Sequence, residues 1–215
     1  MTRNTERSVI EHLEQEYHNL LDKQQFREEE LDYTLLDKHI DRLSLLSQVS
    51  NSGITVFDMF KKSHVFTSYN FSELFNYDLD RIKKEDTAYF NMRIHPDDMI
   101  QLTRNGIVVW EYLLEQDKDK THYKMMSEYR IRLSGRYVRV IEQFQVLELD
   151  AYGNVWLSLS VLDLSPNQAP SGGVHSKLQN FKTGEILELA NIMTKEPNPL
   201  LSPREKIILQ YVRDG

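Results

Sequence analysis

Tyr129-Arg130-Ile131-Arg132-Leu133-Ser134-Gly135-Arg136-Tyr137-Val138-Arg139-Val140 is the stretch on which the fold turns. Tyr129, Ile131 and Leu133 alternate with Glu128, Arg130 and Arg132, the period of a strand with one buried face. Ser134-Gly135 supplies a tight turn. Residues 137–149 then return as a second strand, with Val138, Val140, Phe144 and Val146 on one face. Asp150-Ala151-Tyr152-Gly153-Asn154 turns the chain again, and residues 155–164 form a third strand with Val155, Leu157, Leu159 and Val161 on one side.

Upstream, Ile54-Thr55-Val56-Phe57-Asp58-Met59-Phe60 and His64-Val65-Phe66-Thr67-Ser68-Tyr69 read as a hairpin closed by Lys61-Lys62-Ser63. Short helical pieces follow, among them residues 71–77, with Leu74 and Phe75 facing inward. Ile94-His95-Pro96-Asp97-Asp98 opens a longer helix. Proline is tolerated in the first turn, where its missing N–H costs nothing, and the two aspartates sit where the helix dipole favours negative charge. That helix is expected to run to about Gln116 and to bury Met99, Leu102, Ile107, Trp110 and Leu114. The sum is an α+β domain: a five-stranded antiparallel sheet with helices on one face.

Residues 1–50 form a helical segment in front of it. Proline and glycine are absent from residues 8–48, and Leu, Glu, Gln, Lys and Arg are plentiful. Ile10, Leu13, Tyr17 and Leu20 make one apolar stripe; Leu36, Ile40, Leu43 and Val49 make another. Two helices, or one with a weak middle around Lys23-Gln24-Gln25, satisfy the pattern. The stripes fit packing on the domain's own core and fit a helical dimer seam equally.

After the domain (residues 51–166), residues 167–200 read as a linker rich in Pro, Gly and Ser at its start, with a small hairpin around Lys182-Thr183-Gly184. Lys195-Glu196-Pro197-Asn198-Pro199 is a further break. A last helix opens at Leu201-Ser202-Pro203-Arg204-Glu205, where Ser202 is the N-cap and Glu205 completes a capping box.

Bulk properties narrow the function. The 215 residues contain no cysteine, which excludes disulfides, thiolate chemistry and cysteine-held metals. No apolar run approaches the roughly 20 residues that cross a bilayer, and the first thirty residues lack a signal-peptide core, so a cytoplasmic location is expected. The net charge of −7 argues against strong DNA binding by this chain alone.

Two stretches resemble known families. The order of strands and helices over residues 54–165 resembles a PAS domain. Ile94-His95-Pro96-Asp97-Asp98 looks like the helix-opening motif of one large PAS subfamily. The Tyr129-Arg130-Ile131 hairpin looks like the central hairpin, and Asp163-Leu164-Ser165 resembles the triplet that closes many PAS sheets. Arg139 departs from the pattern, standing where that subfamily often has tryptophan. Leu201-Ser202-Pro203-Arg204-Glu205-Lys206-Ile207-Ile208-Leu209 is similar to the opening of the LuxR/FixJ helix-turn-helix domain. That resemblance implies that the chain stops after the first helix of a DNA-binding domain whose recognition helix is missing.

Together the resemblances imply the sensory and dimerisation part of a cytoplasmic bacterial transcription regulator. Such a protein is expected to form a homodimer, to reach DNA through its missing C-terminal part, and to transmit the signal of a ligand, a small molecule for instance, or of a partner. The candidate pocket lies between the sheet's inner face and the helices, lined by Phe57, Phe75, Trp110, Tyr129, Ile131, Phe144, Val146 and Leu159. The same side chains fit a filled core, which implies instead a PAS module for protein–protein contact with no ligand.

No catalytic residue, metal site or cofactor is expected. His95 beside Asp97 and Asp98 reads as an ordinary helix start, and His64, His122 and His175 lack ligand spacing. No histidine follows Pro96 within the long helix, which argues against haem, and a flavin–cysteine adduct is impossible without cysteine. Ser171-Gly172-Gly173 has no following lysine to make a phosphate loop. The chain is therefore not expected to be an enzyme.

Overall fold

The computed structural model describes residues 3–116, 119–169, 172–189 and 192. The break at residues 195–199 and the helix expected from residue 201 lie outside them. Two helices come first, α1 (Arg3–Leu21) and α2 (Tyr33–Val49), joined through a 3-10 turn at Glu28–Glu30. Then come β1 (Gly53–Asp58) and β2 (Ser63–Thr67), followed by α3 (Asn70–Glu73), α4 (Leu79–Glu85), α5 (Thr87–Arg93) and α6 (Pro96–Glu115). Three long strands follow: β3 (Tyr123–Leu133), β4 (Arg136–Leu149) and β5 (Val155–Leu164). Two short ones, β6 (His175–Asn180) and β7 (Ile186–Glu188), complete the described chain.

All seven strands lie in one antiparallel sheet ordered β2-β1-β5-β4-β3-β6-β7. The α+β, PAS-like architecture expected from the sequence is present, with one correction. Among the described residues the sheet has seven strands, not five. The small hairpin expected within the linker is present as β6 and β7, but it belongs to the sheet: β6 pairs onto the free edge of β3, with Ser127 opposite Ser176 and Met125 opposite Leu178, and β7 pairs with β6. Leu178 is fully buried in the same core cluster as Trp110 and Leu113, so this edge is part of the domain. The domain's own helices α3–α6 lie on one face as expected, and the N-terminal segment reaches both. α2 packs against the face opposite α6, where Leu36 and Leu43 meet Ile54, Val56, Trp156, Leu157 and Leu159.

Local chemistry explains the turns. Ser134 and Gly135 both have positive φ (49° and 86°), which a two-residue turn between right-twisting strands demands. The Asp58 carboxylate accepts from the Phe60 and Lys61 amides and closes the first hairpin. Asp150 does the same for Tyr152 and Asn154.

The start of α6 is fixed most firmly. His95 Nδ1 caps the helix by accepting from the Asp97 amide, and Pro96 follows as expected. Asp98 does more than favour the dipole. It is 1% exposed, and its carboxylate accepts from the Arg130 amide (2.9 Å), Nε (2.9 Å) and Nη2 (2.5 Å). Burial works to raise the Asp98 carboxyl; the Arg130 hydrogen bonds and charge outweigh it and hold it below its ordinary value. With the His95 amide donating to the Arg130 carbonyl, α6 is riveted to β3.

Leu13, Tyr17 and Leu20 of the first N-terminal stripe and Leu36, Ile40 and Leu43 of the second pack within the chain. Leu13, Leu20 and Leu21 of α1 are buried in one cluster with Ile107, Trp110 and Leu113 of α6. Val49, placed in the second stripe, is 82% exposed at the end of α2, beside the exposed Leu45 and Leu46. Among the described residues no helix is long and apolar enough to cross a membrane.

Candidate functional site: a cavity between the sheet and α1

The inner face of the sheet does not pack solidly against the helices. A cavity of about 590 Å³ lies between them. Its floor comes from β1 (Thr55, Phe57), β3 (Tyr129), β4 (Glu142, Phe144) and β5 (Ser158, Ser160, Leu162). Residues of α4 and α5 and their junction, together with Met99, Leu102, Thr103 and Gly106 of α6, form one side. α1 supplies another with Glu14, Tyr17, His18 and Leu21.

Small residues on the floor help make the space. In β5, Leu157 and Leu159 point under α2, so Ser158 and Ser160 face the cavity. Gly106 adds no side chain on the helix opposite. The space opens to solvent on one side, past the exposed His18 and Lys62.

Of the eight residues expected in the pocket, Phe57, Tyr129 and Phe144 line it. Phe75 and Ile131 are buried to one side, in the cluster around α3 and Val140. Trp110 and Val146 are buried under α1 and α6 without reaching the space. Leu159 is on the opposite face. Its apolar series in β5 does face a core, but that core is the one under α2. The series is also broken at its start: the β4–β5 register shifts around Glu148, and Val155 joins the α1–α6 cluster instead.

The central polar group is Glu142, which the apolar reading of β4 passed over. Glu142 Oε2 accepts from the Tyr129 hydroxyl at 3.0 Å, and Oε1 accepts from Ser160 Oγ at 2.5 Å. The signal was present in the sequence. Val138, Val140, Phe144 and Val146 share a face with residue 142, so a carboxylate interrupts an otherwise apolar run.

Its charge is felt across the site. Burial pushes the Tyr17 phenol up to about 12; the Trp110 hydrogen bond opposes this and the Glu142 charge adds to it. Tyr129 is pushed well above its ordinary value by burial and then by Glu142. Tyr77 is raised by burial, with Arg93 opposing and Glu142 again adding. These three tyrosines therefore stay neutral hydrogen-bonding groups in the wall.

At the rim, Asp86 holds His64 through both its ring Nδ1 and its backbone amide. Lys62 is paired with Asp22 at 2.5 Å. Trp110 Nε1 donates to the Tyr17 hydroxyl at 3.0 Å, linking α6 to the α1 wall. Among the described residues no three His, Cys, Asp or Glu side chains gather as a metal site.

No family model matches the chain, and no curated protein matches it. Solved structures of PAS domains do. The PAS domain of BvgS from Bordetella pertussis superposes with a TM-score of 0.39 at 15% identity, over 61% of this chain and 89% of that one. A PAS domain from Colwellia psychrerythraea gives 0.39 at 16% identity, over 56% and 97%. A sensory box histidine kinase/response regulator from Burkholderia thailandensis E264 gives 0.39 at 19% identity, over 57% and 83%. At these scores the likeness carries no argument about ligand, partner or output. The fold rests on the strands and helices described above.

Proposed function

We propose that this chain is the sensory and dimerisation module of a cytoplasmic bacterial transcription regulator and not an enzyme. A small molecule occupies the cavity, and its presence is passed to a LuxR/FixJ-type DNA-binding domain that opens near residue 201. The observation that carries the reading is the cavity. Its 590 Å³ lies within the roughly 300–1,000 Å³ of small-molecule sites, and its lining joins aromatic walls to a few polar groups. A filled-core module for protein contact would have no use for it. The exposed Leu45, Leu46 and Val49 on α2 favour that second reading in one respect, as an apolar surface suited to a partner.

The test is native mass spectrometry of the purified protein, followed by melting with small-molecule libraries. A retained mass, or a melting temperature that climbs with the concentration of one compound, supports the receptor. Clean apo mass with no compound moving the transition favours the filled-core module. Separately, an intact full-length protein that shifts no DNA probe at low salt would overturn the regulator reading.

A further inference from the structure

We infer that the cavity is built for a small cationic or ammonium-bearing molecule with an aromatic body, and that Glu142 is the residue that receives its charge. This rests on the receptor reading above and names the class of ligand.

The argument begins with the cost of Glu142. Glu142 is half-buried on the core-facing side of a central strand, so its carboxylate loses part of its hydration and gains from hydrogen bonds or an opposite charge. Tyr129 and Ser160 each donate one hydrogen bond to it. An ionised carboxylate offers about four acceptor positions, so two neutral donors satisfy it in part and bring no positive charge. The strand neighbours show what a purely structural residue would be: Val140 and Phe144 occupy the adjoining positions on the same face. Rules of core composition are broken mainly where function requires it.

The rest of the wall agrees. Glu14, Glu85, Asp86 and Glu142 line the cavity against a single lysine, Lys62, already tied to Asp22. Arg81 engages Glu85, and Asp86 holds His64. Glu142 is the acid on the sheet floor, among the rings of Phe57, Tyr129 and Phe144. Aromatic faces attract cations and reject anions, so the rings and the carboxylate select the same charge. The hydroxyl oxygens of Ser158 and Ser160 on the floor and of Thr103 on α6 can accept from further N–H or O–H groups, those of Ser160 and Thr103 having given their own protons to Glu142 and the Met99 carbonyl.

Three probes with one ring and different tails make the test: tryptamine, tryptophol and indole-3-acetate. Each is titrated into the purified full chain by calorimetry, and tryptamine is repeated on Glu142→Gln, whose folding is checked by circular dichroism. Tryptamine is expected to bind tighter than both other probes, and Glu142→Gln to weaken it by roughly 10- to 100-fold, the range for losing a charge-assisted hydrogen bond. The comparison of three ligands on the unaltered protein stands even if the variant does not fold. Tryptophol or the acid binding as tightly as tryptamine, or tryptamine binding undiminished in a folded Glu142→Gln, overturns the ligand class and leaves the receptor reading in place. Failure of all three to bind overturns the ligand class, and the library screen described above decides separately whether the receptor reading falls with it.

Discussion

Replacing Asp98 by alanine should unfold the protein far more readily than replacing its neighbour Asp97. The Asp98 carboxylate receives three hydrogen bonds from Arg130, one from the backbone of β3 and two from the guanidinium. Removing one partner of a buried ion pair costs about 3–5 kcal/mol, because the other charge is left uncompensated. The Arg130 side chain is 24% exposed, so water replaces part of the loss and the low end applies, about 3 kcal/mol. For a domain of this size each kcal/mol moves the melting temperature by roughly 2–4 °C, giving a fall of about 6–12 °C. Asp97 is 79% exposed, and its carboxylate lies only 3.7 Å from His95 Nδ1 and 4.0 Å from Arg130. Its replacement should move the transition by no more than about 2 °C.

The assay is thermal unfolding followed by circular dichroism at pH 7, with coincident fluorescence to establish a two-state transition. A double variant sharpens it. In Asp98→Ala with Arg130→Met, no charge is stranded, so much of the lost stability should return. If Asp98→Ala melts within 3 °C of the parent, or if Asp97→Ala costs as much, the rivet between α6 and β3 is not what holds that helix.

Leu178→Ala should cost about 2–4 kcal/mol in urea unfolding, since Leu178 is fully buried beneath α6; a change below 0.5 kcal/mol would return residues 175–180 to the status of a linker. Gly53→Ala should destabilise by about 1–3 kcal/mol, because an added Cβ would stand 2.8 Å from the Phe71 ring; a neutral result in the same assay would mean that the ring moves aside freely. Acid should be the weak side of the pH profile. Asp98 and Asp86 are held below the ordinary 3.8 despite their burial, by Arg130 and His64 respectively, and Glu128 is held below 4.5 by Arg139 and Ser165. Depressed carboxyls contribute stability above their unfolded values and lose it as pH falls through their folded ones, so unfolding free energy should stay level from pH 7 to about 5 and drop below about 4. A steady decline beginning at pH 6.5 would assign acid lability to histidine instead.

The parts of the fold readable from sequence are those whose signals are local. Alternation in β3 and β4, the Ser134-Gly135 turn and Pro96 at the start of α6 each announce themselves within a few residues. The parts that escape depend on distant partners. The hairpin of β6 and β7 is marked by Lys182-Thr183-Gly184, but its place in the sheet is not: β6 is six residues with only Leu178 and Asn180 buried, and it docks where β3 presents a free edge. α4 and α5 are seven residues each and separated by Asp86 at φ 48°, a conformation that asparagine or glycine would have signalled better. The pocket divides along the same line. Strand parity identifies Phe57, Tyr129 and Phe144, but choosing the more apolar side of β5 selects Leu159, which lies under α2. Parity says which residues share a face. It does not say which face is filled, because α2 covers the second one from far away in the chain.

That arrangement also determines how an occupied cavity would act, if the receptor reading holds. A ligand changes a protein only through different affinity for two of its states, so the groups it touches must include one that can move. The sheet floor is a poor choice, since β4 is paired with β3 over residues 136–145 and with β5 over residues 140–149, so Glu142 and Phe144 are flanked by strands on both sides. α6 is pinned to β3 by Asp98 and Arg130. The contacts described for α1 are of another kind and include apolar packing on α6, the Trp110–Tyr17 hydrogen bond and the Lys62–Asp22 pair just past its end. α1 nevertheless supplies Glu14, Tyr17, His18 and Leu21 to the cavity wall. Apolar packing adapts to small shifts more readily than a charged, three-bond rivet does. The cavity therefore couples most directly to the N-terminal helix, and a ligand that fills the space between Glu142 and Tyr17 would choose among positions of α1 while the sheet stays fixed.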